Sequence, residues 1–179
     1  MQTGKVEFLF VGNSRGVRKQ PRANIELRLD GIVGDRHSGD MKKADGRDKG
    51  VERGALIRNW RQWSAVSTEE LQLIASNLNI PELDGVLLGP NLVISGISGF
   101  TQLQKGSLLK FPHAALLVEE ENAPCTKAGK LVATAHKDTT QHAFVKSARG
   151  LRGLVGVVSE PGTIRVGDFV EVVPPPISD

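Results

Sequence analysis

Cys125 is the only cysteine in the chain and the residue best suited to chemistry. It lies in Asn122-Ala123-Pro124-Cys125-Thr126-Lys127-Ala128-Gly129, where Pro124 stiffens the approach and the segment that follows reads as helix. A thiol at a helix N-terminus beside Lys127 feels positive potential from unpaired backbone N–H groups and from the ammonium. Both favour thiolate over thiol. A thiolate is what nucleophilic attack, sulfur transfer or ligation of a soft metal requires. The competing reading is a small buried hydrophobe that only packs.

Three further segments carry candidate polar contacts. Gly31–Gly39 holds Asp35, Arg36 and His37 among glycines. Its backbone N–H groups could cradle an anion with Arg36 as a bidentate grip, or it could be a wide turn needing positive φ. Asn91 leads into the apolar Leu92-Val93-Ile94, where its amide could meet a heterocycle edge or cap a turn. Arg152 stands between Gly150 and Gly153, as an anion clamp or a surface turn cation. His37, His113, His136 and His142 are dispersed, and the six-residue step from His136 to His142 does not place two ligands on one helical face. With no second cysteine, a zinc site is not expected. A cysteine hydrolase finds no identifiable base, since nothing in the spacing selects a histidine partner for Cys125.

Short strands and glycine turns must position these residues. Lys5–Asn13, Ile25–Leu29, Gln62–Val66, Leu92–Ile94, Leu108–Phe111, Ala115–Glu119, Leu154–Val158, Ile164–Val166 and Phe169–Val173 read as strands. Ser67-Thr68-Glu69-Glu70 opens a run with Leu71, Ile74, Ala75 and Leu78 on one face. That spacing predicts a helix with a capping box, stopping near Asn79 before Pro81. Two shorter helices are expected over Lys127–Ala135 and Thr139–Ala148. Met41–Gly54 is polar and charged and reads as a mobile loop. The pattern predicts a mainly β, single-domain barrel or sandwich with peripheral helices, its core over 5–173 and a tail over 174–179.

The bulk properties narrow the function. A chain of 179 residues can build its own core without disulfide or structural metal. A single cysteine suits a reducing, cytoplasmic setting, and no signal peptide or membrane span is expected. The net charge of +3 is spread along the sequence, with a local excess at Arg15–Arg22, and reads mostly as solvated surface charge. Aromatic residues make up 4%, too few for a nucleic-acid surface that interleaves stacking rings with cations. One or two anion-binding positions for a small phosphorylated ligand remain compatible with this charge.

Taken in order, Gly31-Ile32-Val33-Gly34-Asp35-Arg36-His37, Ser64-Ala65-Val66-Ser67, Gly89-Pro90-Asn91-Leu92-Val93-Ile94-Ser95-Gly96, Pro124-Cys125, and Gly150-Leu151-Arg152-Gly153 through Gly162-Thr163-Ile164-Arg165-Val166-Gly167-Asp168 resemble the MOSC domain family. The family takes its name from the C-terminal domain of molybdenum-cofactor sulfurase. The resemblance implies a β-barrel like that of the pyruvate-kinase barrel domain. It implies that Cys125 either carries a sulfane sulfur or ligates the molybdenum of a pterin cofactor. It also implies that Ser67 and Asn91 line the pterin site, and at family level pyridoxal phosphate binding is described. Arg36, Lys127 and Arg152 are the candidate anion contacts. With no flavin, nicotinamide or haem motif, the chain is expected to act with a redox or sulfur-donor protein, and the resemblance extends to systems that reduce N-hydroxylated compounds. Two departures stand out: Glu119-Glu120-Glu121 precedes Pro124-Cys125 where many relatives carry an Arg, and Met41–Gly54 replaces a His-Gly-Gly segment. The alternative expectation is a non-catalytic barrel that binds a small anion and buries Cys125.

Overall fold

The computed structural model describes residues 2–14 and 18–176. In chain order the strands are β1 (Gln2–Val11), β2 (Gln20–Arg22), β3 (Asn24–Arg28), β4 (Gly31–Ile32), β5 (Met41–Lys43), β6 (Leu56–Arg58), β7 (Trp63–Ser67), β8 (Leu92–Ser95), β9 (Leu108–Phe111), β10 (Ala114–Glu121), β11 (Leu154–Glu160), β12 (Gly162–Arg165) and β13 (Phe169–Val173). The helices are α1 (Thr68–Asn77), α2 (Thr126–Ala135) and α3 (Gln141–Ser147). Strands β13, β9, β10, β11, β7, β8 and β1 pair in that order, and β13 pairs again with β1, so the sheet closes into a barrel. The expected mainly β fold with a few outer helices is what the chain forms.

Side-chain alternation divides the apolar residues into two cores. Trp63, Ala65, Leu92, Ile94, Leu116, Val118, Leu154 and Val170 point into the barrel and are buried there. The intervening Val66 and Val93 point outward, where α1, α2 and α3 cover them with Ile74, Val132 and Phe144. Inside, space is tight at Gly156. A Cβ there would stand 1.9 Å from the Leu117 carbonyl oxygen and 2.8 Å from the Trp63 ring. The Trp63 indole N–H donates to the Val157 carbonyl at 2.9 Å, so its one polar atom is satisfied in the core.

The end of α1 nearest the sheet follows only half of the expected capping box. The Ser67 hydroxyl accepts from the Glu70 N–H at 3.4 Å. Glu70 does not reach back; its carboxylate accepts from the Thr101 N–H at 2.8 Å and hydroxyl at 2.6 Å. Thr101 in turn accepts from the Gly153 N–H at 2.8 Å, tying α1 to the turn before β11. Burial raises the Glu70 pKa from its usual value despite those hydrogen bonds.

Met41–Gly54, expected as a mobile loop, opens a β-hairpin instead, with Met41 paired to Arg58 and Lys43 to Leu56. Polar side chains order it, not apolar burial. Asp45 accepts from the Arg47 backbone N–H at 2.9 Å and from its guanidinium, while Asp48 accepts from the Asp45 N–H at 2.7 Å and from Lys42 at 2.6 Å. Asx-type turns of this kind stabilise a polar segment that composition alone would call loose.

The Gly31–Gly39 turn is pinned by Asp35, whose side chain has no exposed surface. One oxygen accepts from the His37 N–H and faces His37 Nδ1, both at 3.0 Å. The other accepts from the Gly12 N–H at 3.2 Å and the Asn91 amide at 2.8 Å. The Lys19 ammonium, itself buried, lies 2.9 Å from the same oxygen as an ion pair poorly directed for a hydrogen bond. Lys19 belongs to the basic stretch expected at the surface; residues 15–17 of that stretch lie outside the described residues. Burial would raise the Asp35 pKa, but the His37 hydrogen bond and the Lys19 charge outweigh it and hold the carboxyl well below the usual range. Burial lowers the Lys19 pKa, and Asp35 opposes that shift.

Two stability tests follow from these contacts. Gly156→Ala drives a methyl into a backbone carbonyl and should cost about 3 kcal/mol in urea unfolding. A loss under about 1 kcal/mol would show that the sheet gives way there. Asp35→Asn strands a buried ammonium and should cost about 3–5 kcal/mol at pH 7, most of it recovered in the double variant with Lys19→Met. Because the folded pKa of Asp35 is depressed, its contribution is complete above the unfolded carboxyl pKa of about 4. It fades as pH falls from there toward the lower folded value. Urea midpoints taken from pH 7 downward should therefore fall more steeply in the parent chain than in Asp35→Asn.

Candidate functional site

The register of the sheet sets a row of residues across its outer face. Glu120 of β10 pairs with Val155 of β11, and Val155 pairs with Ser64 of β7. Asn91, just before β8, donates its N–H to the Ser64 carbonyl at 2.8 Å. Cys125 is delivered beside this row by the chain leaving β10. Asn122 donates its N–H to the Gly153 carbonyl at 2.8 Å, and Cys125 then stands at the N-cap of α2 with φ −130° and ψ 156°. Its side chain makes no capping hydrogen bond and is exposed. The reading of Cys125 as a buried packing residue is therefore set aside. Gly129 holds α2 in place: a Cβ there would meet the Gln141 carbonyl oxygen at 2.6 Å, so α3 approaches α2 closely only because the side chain is absent.

Arg152 lies on the connection that the Asn122–Gly153 hydrogen bond ties to the one carrying Cys125. Gly153 after it has φ 90° and presses against the Ala65 carbonyl, which turns the chain sharply into β11. The Arg152 side chain consequently runs inward. It is buried, and one terminal nitrogen donates to the Leu88 carbonyl at 2.6 Å. Its Nε and Nη1 have no hydrogen-bond partner among the described residues. Burial lowers the pKa of Arg152 to about 10, with the Cys125 charge pulling it back up and Arg61 pushing it down. It stays a cation at neutral pH, with two desolvated donors to spare.

Two more arginines, which sequence reasoning did not single out, line a neighbouring cleft that does not include Cys125. Arg61 precedes β7, and its guanidinium donates to Asn122 Oδ1 at 2.8 Å and to Glu120 Oε1. Arg47, at the turn of the β5–β6 hairpin, is raised in pKa chiefly by its hydrogen bonds to Asp45, and Cys125 adds to that rise. Both line a cleft of about 440 Å³ with Lys42, Trp60 and Glu119. No periodicity marks either residue; the sequence signal was limited to Arg47 lying in the segment that replaces the relatives' His-Gly-Gly.

The other expected contacts fall differently. Asn91 is fully buried and its amide is spent: Nδ2 donates to Phe10 O and Asp35, and Oδ1 accepts from the Ser64 N–H. Ser67 is buried, donating to Glu69 at 2.8 Å while capping α1. Both hold the scaffold under the site, so neither offers a free group to a ligand. Arg36 and Lys127 are exposed. The acidic run before Cys125 is also engaged: Glu120 with Arg61, Glu119 with Lys105 at 2.8 Å, and Glu121 with the Gly150 N–H at 2.9 Å. His37 is the one histidine with a carboxylate partner among the described residues. Burial lowers its pKa, with Asp35 opposing that shift.

Comparison with known proteins identifies the family and agrees with the fold. The chain is 38% identical over 173 residues to YuaD of Bacillus subtilis (strain 168), a protein named for metal-sulfur cluster biosynthesis, covering 95% of this chain and 90% of that one. The crystal structure of the B. subtilis YuaD protein superposes with a TM-score of 0.91, covering 95% of each chain. YiiM from Geobacillus stearothermophilus shares the fold at a TM-score of 0.64 and 15% identity, covering 95% of this chain and 75% of its own. A MOSC domain model matches residues 35–171, which takes in Asp35, Cys125 and Arg152 alike. The chain belongs to the MOSC domain family.

Proposed function

We propose that this protein handles sulfur for molybdenum-cofactor or metal–sulfur chemistry, with Cys125 as the atom that carries it. The observation behind this reading is the exposed Cys125 sulfur at the α2 N-cap, on a connection that the Asn122–Gly153 hydrogen bond ties to the turn carrying the buried Arg152. A buried cation with idle N–H groups costs free energy unless an anion completes it.

As a carrier, Cys125 takes a sulfane sulfur from a donor persulfide. A bond forms between Sγ and the terminal sulfur, the donor's S–S bond breaks, and the electron pair leaves on the donor thiolate. No oxidant or reductant is consumed. Exposure at the N-cap lets a donor or acceptor protein reach the sulfur, so a protein partner that supplies or receives sulfur is part of the proposal.

A second reading, Cys125 as a ligand to the molybdenum of a pterin cofactor, has its own support in Arg152. Among the described residues no group of three or more His, Cys, Asp and Glu could hold a metal, so a metal would have to arrive with most of its ligands. A molybdenum held by a pterin does that, and supplies two-electron reduction of the substrate when bound. Cys125 would give the protein's sulfur ligand, and Arg152, Arg61 and Arg47 would meet the cofactor's phosphate. Lys127 and Arg36, exposed nearby in sequence to Cys125 and Asp35, are the weaker anion contacts. Electrons for reduction of N-hydroxylated substrates would then come from a partner reductase.

Freshly purified protein should release sulfane sulfur on cyanolysis, or contain molybdenum, at a level close to one per chain. Cys125→Ser should lose whichever is present. Equal sulfane sulfur and equal molybdenum in the two proteins would end both readings.

A further inference from the structure

We propose that the outer face of the β5–β6 hairpin, continued by Trp60, is the docking surface for an acidic protein partner. That this partner is the one exchanging sulfur with Cys125 rests on the carrier reading; the surface itself does not.

Among the described residues β5 and β6 pair only with each other, as a two-stranded sheet separate from the barrel. Their register sets Met41 opposite Arg58 and Lys43 opposite Leu56. Alternation along a strand puts these four side chains on one face and Lys42 and Ile57 on the other. Lys42 and Ile57 are half-buried, whereas the four are exposed, Leu56 by 67% and Met41 by 48%. The Arg58 guanidinium lies over the Trp60 ring, 5.1 Å from its centroid, which extends the face to a third large apolar side chain. Trp60 is also exposed. Met, Trp and Arg are residue types that protein interfaces concentrate.

Charge decides what fits there. The cations of the neighbouring cleft are all paired: Lys42 with Asp48, Arg47 with Asp45, Arg61 with Glu120 and Lys105 with Glu119. On the outer face, Lys43 and Arg58 join no ion pair among the described residues. Over residues 41–61, seven Lys and Arg stand against three Asp and Glu, an excess larger than the net charge of +3 on the whole chain. Unpaired cations around Met41, Leu56 and Trp60 are complementary to an apolar hollow with an acidic rim. A second copy of this chain would set Lys43 and Arg58 against their like. A nucleic-acid strand stacks on successive rings, and this face has one. An anionic membrane would meet the polar turn between the strands, where Val51 is the one exposed large apolar side chain among the described residues.

The face is also held in place and set near the sulfur. Asn59, buried between Arg58 and Trp60, donates its amide to the His37 and Gly39 carbonyls at 2.7 and 3.0 Å. A partner therefore finds the surface already ordered, which lowers the cost of binding. Arg61, next to Trp60, donates to Asn122, three positions before the exposed Cys125. A protein seated on the hairpin stands beside the connection that delivers the sulfur.

Random peptides displayed on phage are selected on the full-length chain. Enriched sequences should carry Asp or Glu around an aliphatic or aromatic centre. Their synthetic forms should shift tryptophan emission to the blue through Trp60, since Trp63 is already buried. Leu56→Ser and Arg58→Glu should each weaken binding about tenfold or more with the urea midpoint unchanged. Exchanging a peptide Glu for Lys should restore binding to Arg58→Glu. No enrichment, enrichment of peptides without net negative charge, or affinity indifferent to both variants overturns the assignment. So does retention of phosphatidylglycerol vesicles, or self-association, that Leu56→Ser abolishes while peptide binding survives. Cyanolysis and molybdenum analysis of the same preparations keep the two readings apart. Peptide binding without sulfane sulfur or molybdenum leaves the docking surface and ends the carrier; sulfane sulfur without peptide binding does the reverse.

Discussion

The pairing of β13 with β1 closes the sheet, and closure decides where chemistry can happen in this protein. A small barrel has an interior just wide enough for side chains, and here Trp63, Leu92, Ile94, Leu116 and Leu154 fill it. Any ligand must therefore bind outside. The outer face is covered by three helices where Val66, Val93 and Phe144 meet, and left uncovered where the chain leaves β10 and enters β11. Cys125 and Arg152 lie on those two connections. They are twenty-seven positions apart, yet the Asn122–Gly153 hydrogen bond brings the two connections together, because β10 and β11 are neighbours in the sheet.

Two buried cations show how differently the same cost can be met. Lys19 is buried against Asp35, which also collects the Gly12, His37 and Asn91 donors, so charge and hydrogen bonding are settled within the chain. The result is a rigid turn with nothing to offer a ligand. Arg152 is buried as deeply and receives one neutral carbonyl. Burial weakens its hold on the proton, but a guanidinium still keeps its charge at neutral pH. The first arrangement is what a scaffold looks like. The second leaves a buried guanidinium with two nitrogens unmatched among the described residues.

Much of this layout was legible in the sequence because it rests on local rules. The apolar face of Leu71, Ile74 and Ala75 behind Ser67 gave α1, and Gly/Pro-bounded short strands gave the barrel. Cys125 stood out through its proline and the helix behind it. What could not be read was set by contacts distant in sequence. Asn91 looked like a ligand contact, and its partners Phe10 and Asp35 lie 81 and 56 positions away. Lys19 looked like surface charge until Asp35 was folded over it. The β5–β6 hairpin was missed because its order comes from Asp45 and Asp48 binding their own turn, a side-chain effect that apolar counting cannot register. Arg152 was legible only as one of two alternatives; the fold removes the surface turn cation by burying the side chain.

The exposure of Cys125 and the burial of Arg152 also constrain each other. Were the sulfur buried beside the guanidinium, the two would form a closed ion pair, stable and inert. Were Arg152 exposed, water would satisfy its donors and solvent screening would erase its preference for one anion over another. The arrangement found here leaves the guanidinium dry and the sulfur exposed. Both follow from the barrel's connections: the chain leaving β10 reaches the α2 N-cap with Cys125 in solvent, while the turn into β11 carries the Arg152 side chain inward to the Leu88 carbonyl.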